Sequence, residues 1–167
     1  MPVTEYVTTV EPGVWGPLLW HLLHITAEKL GRTGNVILDA DAATYISYIM
    51  THLPDILPCP DCRTHAKGYL FEHKFDVRGK VGSVLQTYVR EYLFSFHNAV
   101  RARKSQSIMF ATVDDCAAYY NGMTFNTEDE RRLAEVYKAA LAQRLVRSDH
   151  YKQWMGILRR LRLLVGF

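Results

Sequence analysis

Three cysteines in 167 residues are too few for a disulfide framework, since one must be left over. A chain of this length buries a core without cross-links, so a cysteine pair in it points to chemistry rather than to stapling. Glycine and proline number ten and six, which excludes collagen-like and low-complexity chains. No uninterrupted apolar run of about 18 residues occurs, so no membrane-spanning helix is expected. The opening "MPVTEYVTTVEPGVWG" lacks the basic segment and apolar stretch of a secretory signal, and the arginines of a transit peptide. With no visible address, the chain is expected to be cytoplasmic. Also missing are alternating strand pairs, hairpin turns between such strands and any internal repeat.

What is present is ordinary globular composition, 49% apolar and 22% charged, which fits one domain and excludes intrinsic disorder. The net charge of +3 is unevenly spread. From Arg131 to Phe167 nine Lys and Arg face only Glu135 and Asp149, so the rest of the chain is net acidic. These arginines have little aromatic interleaving, so a nucleic-acid surface is not expected, and solvated helix faces account for them.

Helical periodicity runs through the whole chain. Trp15, Leu18, Leu19, Leu22, Leu23 and Ile25 share one face of a first helix, Trp15–Leu30, stopped by "GRTGN". A second starts at Asp39 and ends before Pro54, and a third runs from Cys59 to about His73. Ser83 with Gln86 suggests a capping box for a long fourth, to about Lys104. Thr112 with Asp115 opens a short fifth, to about Asn121. Thr127 with Glu130 opens a sixth, to about Arg147, and Asp149–Leu164 reads as a seventh. The class is all-α, a bundle with short connections. Turn residues in "YNGMTFNTED" coincide with the change in charge, so the chain is either one bundle or a unit of five helices with two more added. On the last helix Trp154, Ile157, Leu158, Leu161 and Val165 form one apolar stripe. It is expected to pack on the bundle or on a second subunit; anchoring to a partner or a membrane surface is the rival reading.

The chemistry centres on "LPCPDCRTH". A c-type haem needs His directly after the second cysteine, and Arg63 stands there. A thioredoxin-like site needs βαβ surroundings, which are missing. Zinc needs four ligands; Cys59, Cys62 and His65 supply three, and His52 or His73 is a conceivable fourth. The remaining reading is a redox-active disulfide at a helix start. With Pro58 ahead, Cys59 falls near the N-cap and Cys62 in the first turn, where free backbone N–H groups and the helix dipole stabilise a thiolate. Thiolates both attack and leave in thiol–disulfide exchange. Net oxidation also needs an electron sink, which in an all-α chain without further redox motifs is a bound cofactor.

Three segments in order, "WGPLLWHLLH" (Trp15–His24), "LPCPDC" (Leu57–Cys62) and "FHNAV" (Phe96–Val100), together resemble the Erv/ALR family of FAD-linked sulfhydryl oxidases. His65-Ala66 and Tyr69-Leu70 after the cysteine pair resemble most the family's branch in large DNA viruses. The resemblance implies an Erv-type four- or five-helix bundle binding FAD over residues 13–121, with an additional helical region over 127–167. It implies that Gly16, Trp20, His24, His97 and Asn98 contact FAD, that Cys62 lies against the isoalloxazine, and that Cys59 is attacked by the substrate thiol. The family often has Asn at position 101, and Lys with Gly-Lys-Pro where Arg103 and "SQS" stand. Arg101 and Arg103 are therefore the candidates for the phosphate contacts, since guanidinium binds phosphate bidentately. No metal is implied. The implied reaction passes electrons from a protein dithiol, such as a small thioredoxin-like partner, through Cys59 and Cys62 to FAD and then to O2, giving H2O2. The implied assembly is a homodimer, in host cytoplasm or virion if the chain is viral. No second, shuttle cysteine pair is visible, and Cys116 stands alone.

Overall fold

The computed structural model describes residues 10–167; the first nine, on which much of the reading for a signal or transit peptide rests, lie outside the described residues. Seven α-helices follow: α1 Pro12–Lys29, α2 Val36–Thr51, α3 Pro60–Glu72, α4 Gly82–Arg103, α5 Val113–Tyr120, α6 Thr127–Ala142 and α7 Ser148–Val165. A 3-10 turn, Leu53–Ile56, lies between α2 and α3. No strand occurs among the described residues, and the all-α expectation holds.

Several helix starts differ from their sequence signals, each for a physical reason. The start of α2 is set by Asn35, whose side chain accepts from the N–H groups of Ile37 and Leu38, four residues before the expected Asp39. Asp39 is instead buried, accepting the Thr33 hydroxyl at 2.7 Å and the Gly82 N–H at 2.9 Å. That second bond caps α4 from a distance, so the Ser83–Gln86 box is not used. Gln86 donates to the Glu28 carbonyl of α1. Asn126, not Thr127, caps α6 by accepting the Asp129 N–H. That helix stops at Ala142 rather than near Arg147, because Arg144 takes a left-handed φ of 57° and its N–H closes on Leu141 O. The Thr112 cap on the Asp115 N–H forms as read.

Helix α1 is the spine of the bundle, packed by α4, α5 and α6, while α2 is covered by α7. Where α1 ends, Gly31 has φ 69° and a Cβ there would overlap the Gly82 carbonyl, so only glycine permits this approach to the start of α4. Deeper in, the buried Glu28 carboxylate takes both Nε and Nη2 of Arg90, joining α1 to α4. A single apolar cluster runs through all seven helices, so α6 and α7 share the core of α1–α5.

The stripe on α7 packs within the chain. Trp154, Leu158 and Leu161 are buried, and the Trp154 indole N–H donates to Ile49 O at 2.9 Å. Two further side chains tie the C-terminal region to the approach to Cys59. The Tyr137 hydroxyl donates to Ile56 O at 3.0 Å, and Arg63 Nη2 donates to both Leu57 O and Leu145 O. The residue that excludes a haem motif is thus a strut between the α3 start and the α6–α7 connection. Removing the largest fully buried side chain should be costly: Trp154→Ala is expected to lower unfolding free energy by about 3–5 kcal/mol. Trp154→Phe should cost less, mainly the unpaired Ile49 carbonyl, and denaturant titration of the two variants checks the order.

Candidate functional site

Cys59 is the N-cap of α3, with extended backbone, and Pro60 occupies the first helical turn. The Cys62 N–H points at Cys59 Sγ from 3.1 Å, and the two cysteines form a disulfide with Cα atoms 5.2 Å apart. Proline before and after Cys59 fixes the backbone, and the Cys62 N–H of the first turn is directed at the Cys59 sulfur. Among the described residues, no three His, Cys, Asp or Glu side chains come together as a metal site.

Beside the pair a cleft of about 560 Å³ opens between α1, α3 and α4. Cys62 and Ala66 line it from α3, Trp15, Gly16 and Trp20 from α1, and Phe96, Val100 and Arg103 from α4. Cys62 is in this lining and Cys59 is not, so one sulfur faces the cleft and the other its outer side. A second cleft, of about 1040 Å³, adjoins the first and shares Gly16, Trp20, Val100 and Lys104 with it. It is also lined by His97, Arg101, Gln106 and Tyr119. The two form one trough, with apolar and aromatic side chains around Cys62 and with Arg103 lining the first cleft, Arg101 the second and Lys104 both.

The walls are rigid for a local reason. Trp20 stacks on His97 with centroids 4.2 Å apart and planes 9° apart, and meets Phe96 edge-on at 5.4 Å. Tyr69 of α3 stacks on Phe96 at 4.4 Å. Position 16 has open space where a Cβ would stand, so glycine keeps the join between the clefts clear. The Trp15 indole N–H is buried without an acceptor.

Of the residues singled out in the sequence, Gly16, Trp20, Cys62, His97, Arg101 and Arg103 all line the trough. His24 lies behind it, buried, with Nε2 3.1 Å from His97 Nδ1. Asn98 is half-buried and lines neither cleft. Arg101 donates from Nε to Ser107 O, holding the turn after α4. Sequence reasoning passed over Trp15, which lines the first cleft, and Tyr120, which stacks on His24 at 4.7 Å. Trp15 stands in the first motif itself; Tyr120 has no sequence signal.

Burial keeps both central imidazoles neutral. His24 is lowered to about 3 by burial and then by neighbouring His97 and His21, and His97 to about 4 by burial and then by Arg101. In the unfolded chain both take up protons near pH 6.5. Between that pH and about 4 the unfolded state therefore binds more protons, so stability falls as pH falls. The loss is expected to be on the order of a few kcal/mol by pH 4.5, shared by the pair. Urea titrations at pH 7 and 4.5 measure it, and His97→Asn should flatten the slope.

By themselves, bundle and site define an all-α protein with a helix-capping disulfide against an aromatic trough. The chain is 30% identical over 95 residues to a FAD-linked sulfhydryl oxidase of Invertebrate iridescent virus 3, a match covering 57% of this chain and 59% of that protein. It is 29% identical over 104 residues to one of Invertebrate iridescent virus 6, covering 62% of this chain and 90% of the other. Both names are provisional. No protein-family model and no solved structure matches the chain. These similarities agree with the resemblance read from the motifs: the chain is similar to FAD-linked sulfhydryl oxidases of two iridescent viruses, and it spans 59% of the first and 90% of the second.

Proposed function

We propose that the protein is a thiol oxidase that forms disulfides in dithiol substrates, with FAD held in the trough. The observation that carries this reading is the placement of Cys62 in the lining of the aromatic cleft while its partner Cys59 is left out of it. The trough fits the cofactor in several ways. Its apolar end suits a flat ring system, and the unpaired Trp15 N–H is a donor in want of an acceptor. Arg101, Arg103 and Lys104 at the C-terminal end of α4 suit a pyrophosphate, and Gly16 leaves backbone-close space between the two ends.

A substrate thiolate attacks Cys59 Sγ, the Cys59–Cys62 bond breaks, and Cys62 leaves as a thiolate. The substrate's second thiolate then displaces Cys59, giving a substrate disulfide and a reduced pair. FAD held beside Cys62 would supply the acceptor for the two electrons of the reduced pair and a route for them to O2, so that dithiol and O2 would become disulfide and H2O2. At the start of α3 the Cys62 N–H holds the Cys59 sulfur when that sulfur leaves as a thiolate, and the helix dipole favours negative charge on the pair. No shuttle pair being visible, the substrate meets Cys59 directly; a small thioredoxin-like protein has the right chemistry. The homodimer belongs to this proposal and rests on the resemblance alone.

Oxygen uptake with reduced dithiothreitol tests the reading. Equal amounts of O2 consumed and H2O2 formed support it, and uptake no faster than with free FAD would overturn it.

A further inference from the structure

Behind the trough lies a line of three buried groups that disulfide exchange does not use. Cys116, on α5, places Sγ 3.7 Å from His24 Nδ1. The other nitrogen of that ring, His24 Nε2, is 3.1 Å from His97 Nδ1. His97 is 9% exposed and lines the second cleft. Its Nε2 has no hydrogen-bond partner among the described residues. The three come from α5, α1 and α4, so only the fold brings them together.

A neutral imidazole has one N–H and one bare nitrogen, so the direction chosen at one end of this line is passed to the other. In one direction the Cys116 S–H donates to His24 Nδ1. His24 then carries its proton on Nε2 and donates it to His97 Nδ1. His97 carries its own on Nε2, toward the cleft. In the reverse direction His97 Nδ1–H donates to His24 Nε2, and His24 Nδ1–H donates to sulfur, a weak acceptor. The thiol proton then has no partner, and His97 shows the cleft a lone pair. The first arrangement gives every internal donor a nitrogen acceptor. Burial pushes the Cys116 thiol up to about 11, so the proton it needs to donate is present. Tyr120, stacked on His24 with planes 7° apart, holds the middle ring in line.

We propose that Cys116 is a positioning residue: its thiol proton sets the tautomers of His24 and His97, so that His97 presents Nε2–H to an acceptor atom of the bound ligand. That this ligand is FAD rests on the oxidase reading; the tautomers do not. The role also gives a use to the cysteine that has no disulfide partner.

Long-range 1H–15N correlation of the histidine rings, on the full chain as purified and again with FAD added, tests it. Both His24 and His97 are expected as Nε2–H tautomers. In Cys116→Ala the two rings should become a mixture of tautomers, and FAD should dissociate about three- to tenfold more readily, the worth of one hydrogen bond. Cys116→Ser, which keeps a donor, should restore both. His97 found as the Nδ1–H tautomer in the unaltered chain overturns the proposal, whatever the variants do. So do rings in Cys116→Ala that match the unaltered chain. A chain that binds no FAD would instead sink the oxidase reading, and the ring spectra would still decide the relay.

Discussion

Cys59→Ser and Cys62→Ser are each expected to reduce dithiothreitol oxidation to the rate given by free FAD, with the flavin still bound. Exchange needs two sulfurs in turn, one to be attacked and one to leave, so either loss stops turnover rather than slowing it. Neither substitution removes a wall of the trough. The two variants should still differ in colour. Cys62 lines the cleft and Cys59 does not, so the sulfur left in Cys59→Ser is the one beside the ring system. As a thiolate held by the start of α3, it should give a long-wavelength charge-transfer band that Cys62→Ser lacks. If the band appears in Cys62→Ser instead, the assignment of inner and outer sulfur is reversed.

The second large effect is on retention of the cofactor. Trp20 and His97 form one stacked unit between the two ends of the trough. Losing a stacked aromatic partner costs about 1–3 kcal/mol by analogy with nucleobases, so Trp20→Ala should weaken FAD about 5- to 150-fold. Trp20→Ala/His97→Ala should lose more, and gel filtration should separate the protein from free flavin. Full occupancy of that double variant after dilution would remove these residues from the pocket.

Much of this was legible because it is local. The N-cap position of Cys59 follows from Pro58, Cys59-Pro60 and the helical pattern after them, and the structure places it there. The apolar stripe of α7 was equally plain, and Trp154, Leu158 and Leu161 along it are buried. The capping signals were less dependable. Asp39 reads as a helix start, yet its carboxylate is claimed by Gly82, 43 residues away. Pairings between distant segments had no sequence trace at all. Arg63 reads only as the residue that breaks a haem motif, but it bonds Leu145, 82 residues on. Cys116 reads as a leftover thiol, but it meets His24 at a separation of 92. His24 itself belongs to a recognisable motif, and sequence could not show that it stands behind His97 rather than beside it in the trough wall.

In the proposed function Cys62 and a flavin share one trough, so that electrons entering at the disulfide reach the cofactor. The absorbance spectrum of the purified chain, reconstituted with FAD and followed under nitrogen before and after dithiothreitol, tests this most directly. Expected is a yellow protein with stoichiometric flavin that bleaches with dithiothreitol and regains its colour in air, while Cys62→Ser stays yellow throughout. A chain that remains colourless with excess FAD, or a bound flavin that dithiothreitol does not bleach, would contradict it.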